Sequence, residues 1–254
     1  MIATLEPIGL AELTERAGLL TRIDRKYLVP MSDLDHVLDG LPGTTRVLQI
    51  DSHRQFGYRS VYFDTPDLLA YRLTALRRRR RFKIRTRSYL DSGLHLLEVK
   101  TRGPRGTTVK QRVPYEGDGE QLVRQDRAEA FTALAQTGAS TPTSADDLQP
   151  VLVTNYHRAT LFLPSSRSRV TIDTELTWTL PDGSDQRRLD GYAVVETKCP
   201  GAAAEMDRSL WAHQHRPCSI SKFGTGLAVL RPELPAHRWH PVIHRHLKQK
   251  ELIS

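Results

Sequence analysis

Basic and apolar side chains alternate between Arg81 and Tyr89, where the chain reads RFKIRTRSY. Successive side chains of a β-strand point to opposite faces, so Lys83, Arg85 and Arg87 would share one face. Three cations side by side repel one another, and ordinary folding does not favour that arrangement. Either this face is solvated surface, or a polyanion neutralises it. The repetition of the pattern on other strands favours the polyanion.

Charged side chains recur at alternate positions of the other predicted strands. They are Arg22, Asp24 and Lys26; Glu98 and Lys100; Lys110 and Arg112; Arg158, which shares a face with Tyr156; Arg169, Asp173 and Glu175; and Glu196 and Lys198. Cations predominate on these faces, whereas a solvated surface usually mixes both signs. Because unpaired charges are not buried without a partner, a barrel lined in this way would have to hold a polyanion. The carboxylates among them would bind Mg²⁺ or Mn²⁺, which prefer oxygen ligands and bridge phosphates.

The elements that position these residues are mostly strands joined by short turns. Alternation and turn residues predict strands over 22–29, 46–50, 57–64, 81–90, 94–101, 107–115, 151–163, 169–180 and 192–199. Helices are predicted over 10–20, 32–38, 66–76, 126–136, 202–213 and 222–230, with Thr65 and Pro66 starting the third. So many strands with few helices between them predict an α+β fold that is mainly an antiparallel sheet or barrel.

The chain is expected to form a single domain over residues 1–254. The segment 138–147 is the best internal boundary, but strands of the same style occur on both sides of it. The expected core covers about 20–232, and the basic, histidine-rich tail over 237–254 is expected to be mobile. The arginine run 77–81 is expected to be a solvated helix end or loop, because five consecutive side chains cannot all face inward; a funnel for a polyanion is the alternative.

Charge is concentrated in one part of the sequence. The net charge is +8, yet the segment from Arg77 to Arg112 contains thirteen Lys and Arg against Asp91 and Glu98. An acidic partner is therefore expected. The two cysteines give no disulfide framework, and neither a signal peptide nor a membrane-spanning run stands out. These features predict a cytoplasmic protein without an integral membrane segment.

Eight sequence motifs together resemble the polyphosphate polymerase (VTC) domains, a branch of the triphosphate tunnel metalloenzymes. They run in family order from residue 22 to 226, which is nearly the whole chain. They are RIDRKYLVP (22–30), YRSVYFDTPDLLAY (58–71), FKIRTRSY (82–89), LEVKTR (97–102), NYHRAT (155–160), RVTIDTEL (169–176), VVETK (194–198) and SKFGTG (221–226). The resemblance implies an eight-stranded closed tunnel barrel with short flanking helices.

The resemblance also implies a function and a set of site residues. The expected activity is metal-dependent transfer of the ATP γ-phosphate to a growing inorganic polyphosphate chain, with Mn²⁺ or Mg²⁺ as cofactor. The residues that match phosphate-holding positions are Lys26, Arg85, Arg87, Lys100, Arg158, Arg169 and Lys222, and Glu196 matches the metal-binding acid. Further substrate contacts are expected from Lys83, Lys110, Arg112, Tyr156, Lys198 and Ser219, and further metal contacts from Glu98, Asp173 and Glu175.

The chain departs from the family pattern at two places. Ser219 stands where the eukaryotic polymerase subunit has a second lysine. Related triphosphatases have an acidic ExExK first strand, whereas the corresponding positions here are Arg22, Asp24 and Lys26. The absence of these glutamates favours polymerase over triphosphatase chemistry. A triphosphatase of the same fold stays an alternative.

Two alternatives without catalysis also stay open. The first is a polyphosphate-binding module that does not turn over its ligand. The second is a nucleic-acid-binding module, which the basic strands would suit. Against nucleic acid, aromatic residues make up only 7% of the chain and do not alternate with the basic face as base stacking requires. The sequence leaves the oligomeric state and a membrane-bound partner open.

Overall fold

The computed structural model describes residues 2–18, 22–102, 108–113 and 115–247. They form two compact units, each assembled from separate segments of the chain. The first unit contains residues 1–57, 156–176 and 189–220, and the second contains 58–155, 177–188 and 221–254. The expectation of a single domain stays a prediction. Among the described residues, none of the helices has both the length and the apolar character needed to cross a membrane.

The first unit is a sheet with helices on its apolar face. Its elements are β1 (Glu6–Ile8), α1 (Leu10–Ala17), β2 (Ile23–Pro30), α2 (Met31–Asp39), β3 (Arg46–Leu48), most of β9 (Ser168–Thr179), β11 (Tyr192–Cys199), α5 (Glu205–Ala212) and the second half of β8 (Gln149–Leu163). The strand order is β2-β11-β9-β8, with β3 on β8 and β1 parallel to β3. Apolar residues of β2, β9 and β11, such as Val29, Ile172 and Val195, pack with α2 and α5 into a buried core.

The second unit contains an antiparallel sheet in the order β8-β4-β5-β6-β7. Its elements are most of β4 (Phe56–Asp64), α3 (Leu69–Ala75), β5 (Phe82–Tyr89), β6 (Leu94–Arg102), β7 (Thr108–Val113), α4 (Arg124–Gln136), β10 (Gln186–Arg188), α6 (Lys222–Leu230), α7 (His240–His246) and the first half of β8. Helix α3 packs on β5 and α6, and α4 packs on β6 and β7. The face toward these helices is apolar, with Ile84 and Val99 fully buried.

The predicted fold class is confirmed, since the strands are mainly antiparallel with helices beside them. Closure of a barrel is not observed. In the described part of the chain, β2 pairs only with β11 and β7 only with β6. Short strands β1 and β10 were not predicted, because three residues give too short an alternation to recognise.

Part of the predicted C-terminal tail is helical. Residues His240–His246 form helix α7, and Trp239, immediately before it, is buried. The Trp239 ring lies 5.6 Å from that of Tyr71. The tail therefore extends the core beyond residue 232 as far as Val242, which is also buried. The remainder of the predicted tail, residues 248–254, lies outside the described residues.

Candidate functional site

Six cations and one carboxylate occupy one face of three neighbouring strands in the second unit. We call this the Glu98 face; its members are Lys83, Arg85 and Arg87 on β5, Glu98 and Lys100 on β6, and Lys110 and Arg112 on β7. The register places Lys83, Lys100 and Lys110 directly opposite one another. The next row of the face is Arg85, Glu98 and Arg112. The alternation of charged residues predicted for these strands therefore places their charged side chains on one continuous surface, which is mainly basic.

Glu98 is the negative centre of this face, and its side chain is only 2% exposed. Its Oε2 accepts hydrogen bonds from Nε and Nη2 of Arg85 at 2.9 and 2.6 Å. Lys110 contacts the other oxygen, and Arg87 lies within 3.9 Å. Burial opposes ionisation of Glu98, but the surrounding cations outweigh it and hold the pKa of this carboxyl well below its usual range. Glu98 therefore stays a carboxylate throughout the physiological range.

Two tyrosines of β4 contact the arginines, a role that was not predicted for them. Nη1 of Arg85 donates to the hydroxyl of Tyr62 at 3.0 Å, and the guanidinium lies 5.7 Å from the Tyr62 ring centre. Arg87 lies 5.6 Å from the ring centre of Tyr58. Such contacts orient a guanidinium. Tyr58, Ser60 and Tyr62 alternate along β4, and this pattern could have predicted that both tyrosines share one face.

Helix α6 brings a further lysine and a cap to the same unit. Nζ of Lys83 donates to Oγ of Ser221 at 3.0 Å, and Ser221 caps α6 by accepting from the Gly224 N–H at 3.1 Å. Lys222 is the first residue of α6, and its backbone oxygen accepts from the Trp178 indole at 2.8 Å. The SKFGTG motif thereby fixes the start of α6 against the charged strand β5.

A second charged group lies on the face of β2, β11, β9 and β8 opposite α2 and α5 in the first unit. We call it the Glu196 face; its members are Arg22, Asp24, Lys26, Arg158, Arg169, Asp173, Glu196 and Lys198. In the register, Lys26 lies opposite Glu196, and Lys198 lies between Asp24 and Arg169. These five cations and three carboxylates alternate with the apolar core residues of the same strands.

Arg158 has the best-defined geometry on the Glu196 face. Its Nε and Nη2 donate to the two oxygens of Asp173 at 2.6 and 2.8 Å, and both side chains are largely buried. The guanidinium also lies 5.3 Å from the ring centre of buried Tyr156. Asp173 and Tyr156 therefore position Arg158, and the prediction that Tyr156 shares its face is consistent with this contact.

Burial lowers the proton affinity of two cations on this face, Lys198 and Arg169. Burial lowers the pKa of the Lys198 ammonium to about 8, with Glu196, whose carboxylate is 3.3 Å away, opposing this. Burial also lowers the pKa of Arg169, and neighbouring Arg22 and Arg158 act in the same direction. A ligand with several negative charges would relieve this repulsion.

Several polar atoms on both faces are buried without a hydrogen-bond partner among the described residues. On the Glu98 face and its neighbour β4, they are Nε of Arg87 and Oγ of Ser60, which lie directly opposite each other in the register. On the Glu196 face they are Nε of Arg169 and Oγ1 of Thr171. Buried polar groups are nearly always satisfied in proteins, so these atoms point to water or a polar ligand on each face.

The structure separates Glu175 from the predicted metal-binding acids. Its backbone has a φ of 54°, which breaks the strand alternation, and its side chain is 60% exposed. It lies 3.0 Å from Nδ1 of His157, which precedes Arg158 and points away from the face of that residue. Glu175 is therefore not on the Glu196 face, because a single left-handed residue reverses the direction of the side chain.

The remaining carboxylates offer few oxygens for a metal ion. In the described part of the chain, no three His, Cys, Asp or Glu side chains are grouped as metal ligands. Asp173 and Glu98 already bind arginine forks. Glu196, the predicted metal-binding acid, pairs with Lys198, and Mg²⁺ bound to phosphates commonly uses only one or two carboxylates. This donor set fits a cation held chiefly by substrate oxygens.

Ser219, one of the predicted substrate contacts, is exposed.

The comparison with protein families identifies the chain. The model of the VTC domain matches residues 21–231, which include every strand of the two charged faces. The chain belongs to the VTC domain family. No curated protein matches its sequence.

Solved structures with a similar fold also exist. The PH1819 protein of Pyrococcus horikoshii has a TM-score of 0.45 and 12% identity, with 83% of this chain and 98% of that chain covered. A putative adenylyl cyclase from Hippeastrum, described as having dominant triphosphatase activity, has a TM-score of 0.44 and 14% identity, with 86% and 100% covered. The RNA triphosphatase Pct1 of S. pombe has a TM-score of 0.26 and 11% identity, with 76% and 68% covered. With TM-scores below 0.5, these likenesses do not support a function for this VTC domain.

Proposed function

We propose that this VTC domain is a metal-dependent polyphosphate polymerase, which transfers the γ-phosphate of ATP to a growing inorganic polyphosphate chain. The observation that supports it most is the Glu98 face, where six cations surround a single buried carboxylate in a chain that matches the VTC domain model over residues 21–231. Such an excess of ordered cations is what a ligand with many phosphates requires.

The arginines on both faces would bind and orient phosphates. Arg85 and Arg158 are each held by a carboxylate and an aromatic ring, so their forks are pre-organised. Pre-organised donors lower the barrier to phosphoryl transfer, because charge on the transferred group is stabilised without reorganisation. The buried Nε atoms of Arg87 and Arg169 are further donors that a phosphate oxygen would satisfy.

The reaction needs no general base on the protein. An oxygen of the terminal phosphate of the chain forms a bond to the γ-phosphorus of ATP, the bond to the β-phosphate oxygen breaks, and ADP leaves. The attacking oxygen is already anionic, so no proton has to be removed from it. A bound Mn²⁺ or Mg²⁺, held by Glu196 and phosphate oxygens, would neutralise part of the negative charge.

The test is to incubate the purified protein with ATP and Mn²⁺ or Mg²⁺, with and without a short polyphosphate primer. Products are resolved on a gel stained for polyphosphate, and free phosphate is assayed in parallel. We expect a ladder of long polymer, and we expect Glu196→Gln to lose most of this turnover while keeping much of its affinity for polyphosphate. Free phosphate without polymer would instead establish a triphosphatase. Tight polyphosphate binding with neither product would establish a binding module.

A further inference from the structure

The arginine run 77–81, which we call the arginine loop, joins α3 to β5 in a fixed conformation. The N–H of Arg78 donates to the oxygen of Leu73 at 2.8 Å, and the oxygen of Arg80 accepts from the N–H of Ser140 at 2.9 Å. Nη1 of Arg81 donates to the oxygen of Arg78 at 2.9 Å. The loop is therefore tied at both ends by its backbone, and its arginine side chains project from a defined scaffold.

These side chains border a cavity of about 650 Å³ within the second unit. Its lining includes Arg78, Arg79, Arg80 and Arg102, together with Thr137 and Ser140. The four arginines are exposed, and none of them forms an ion pair with a carboxylate in the described ranges. We call this cavity the arginine cleft. It combines four guanidinium groups with hydroxyl groups. Both kinds of group donate hydrogen bonds to phosphate oxygens.

More positive charge surrounds the arginine cleft. Burial and the nearby Arg102 lower the pKa of both Arg81 and Arg238. Nε of Arg238 is buried without a hydrogen-bond partner among the described residues. Like charges in one region repel one another, and a polyanionic ligand would relieve that repulsion.

The arginine cleft lies at the Arg102 end of β6, beyond Lys100 of the Glu98 face. Glu98, Lys100 and Arg102 are at alternate positions of this strand and share a face. Arg102 is thus displaced from Lys100 by two residues, or about 7 Å along the strand. On β5, Lys83 is likewise two residues beyond Arg81. A linear polyanion bound along the Glu98 face would meet the arginine cleft at this end of the strands.

We propose that the arginine cleft is a second binding site for an inorganic phosphate chain, which holds the part of a long polymer that extends beyond the Glu98 face. The proposal rests on the proposed phosphate-polymer chemistry, and it deepens that proposal by assigning a separate site and a chain-length dependence. A ligand of three phosphates would bind the Glu98 face without using the cleft. A long chain would use both.

The experiment compares tripolyphosphate with a long polyphosphate chain of defined length as probes. Affinities are measured by calorimetry and by fluorescence anisotropy of an end-labelled chain, with Arg79→Ala/Arg80→Ala as the variant. Its side-chain truncations leave the backbone hydrogen bond of Arg80 in place. The matched control is Arg124→Ala/Arg216→Ala, which removes the same charge from two exposed positions elsewhere. Circular dichroism establishes that both variants fold.

We expect the arginine-loop variant to bind the long chain about tenfold more weakly, as two exposed charge contacts would predict, and tripolyphosphate with unchanged affinity. The control should bind both probes like the wild type. If the variant and the control lose the same affinity for the long chain, the arginine cleft is not a binding site, and the proposed function is unaffected. Failure of the wild type to bind either probe would overturn the proposed function itself. Equally tight, competing binding of single-stranded DNA at the cleft would assign it to nucleic acid and reject the phosphate chain.

Discussion

Glu98 shows how a single residue can make a crowded basic surface stable enough to fold. The register places it in the middle of six cations, and its carboxylate directly contacts Arg85 and Lys110. Its burial would be unfavourable if these partners were absent, and their proximity to one another would be unfavourable without Glu98. Charge balance on this face therefore depends on the carboxylate of Glu98.

This role predicts the effect of Glu98→Gln. The variant keeps the size of the side chain but leaves the half-buried guanidinium of Arg85 without its counter-charge. We expect the free energy of unfolding to fall by about 3–5 kcal/mol, measured by urea denaturation at neutral pH. Added tripolyphosphate should recover part of the loss, because it supplies negative charge to the same face.

The matched control is Glu120→Gln, which removes the carboxylate paired with Arg59 in the same unit. That side chain is 40% exposed, so we expect a loss of at most about 1 kcal/mol. A Glu98→Gln protein as stable as this control, but unable to use Mn²⁺, would contradict the charge-balance role and indicate a metal ligand instead.

The start of helix α3 illustrates what a secondary-structure element needs beyond its own sequence. Asp64 is fully buried at the end of β4, and its carboxylate accepts from the N–H groups of Thr65, Ala70 and Tyr71 at 2.8, 2.8 and 2.9 Å. Burial raises the pKa of Asp64 to about 6, although these three hydrogen bonds oppose the rise. The strand and the helix are thus joined through one carboxyl group.

The raised pKa of Asp64 predicts a pH dependence of stability. The native state holds the Asp64 proton up to about pH 6, whereas the unfolded chain releases it near the ordinary value of 3.8. The stabilisation from this proton is complete below the unfolded pKa and is lost as the pH rises through about 6. We therefore expect the stability of the wild type relative to Asp64→Asn to increase by up to about 3 kcal/mol between pH 7 and pH 4. A constant difference across denaturation curves in this range would contradict the assignment.

Glycines in helix α6 mark close contacts with tryptophan. A Cβ atom at Gly224 would overlap the ring of Trp239, and one at Gly226 would overlap the ring of Trp178. Alanine normally favours a helix by up to about 1 kcal/mol over glycine, but here it would overpack the core. We expect Gly224→Ala to lower the melting temperature, with a loss of about 1–3 kcal/mol in unfolding free energy. Gly43→Ala, which meets no atom within 4 Å, should leave stability nearly unchanged.

The strands of both charged faces could be predicted because alternation of charge and apolar residues repeats over many positions. Residues 192–199 and 222–230 have the predicted bounds of β11 and α6. Glu175 could not be placed, since its left-handed backbone has no signature in a polar strand. Helix α3 begins at Leu69 rather than at Pro66, because the cap is a carboxylate of the preceding strand. Aromatic supports such as Tyr62 depend on cross-strand register, which a sequence pattern alone does not supply.

The whole chain has an excess of positive charge that is organised rather than dispersed. Six of its cations lie on the Glu98 face, where Lys83, Lys100 and Lys110 are directly opposed in the register. Opposed like charges lower stability, and the apolar cores of the two units have to offset that cost. A polyanion removes the repulsion and adds contacts of its own, so stability and ligand binding should be linked.

This linkage predicts a large thermal shift with tripolyphosphate. A ligand that binds only the native state adds about 2.7 kcal/mol at a hundred times its Kd, which corresponds to roughly 5–10 °C for a chain of this size. We expect the shift to shrink in high salt, because counterions screen the cations. At a fixed ligand concentration, Lys83→Ala should show a smaller shift than wild type, since Lys83 lies in the row with Lys100 and Lys110. Arg124→Ala, which removes an exposed charge from the start of α4, should match wild type. Equal shifts in all three proteins would mean that tripolyphosphate binds by overall charge and not at the Glu98 face.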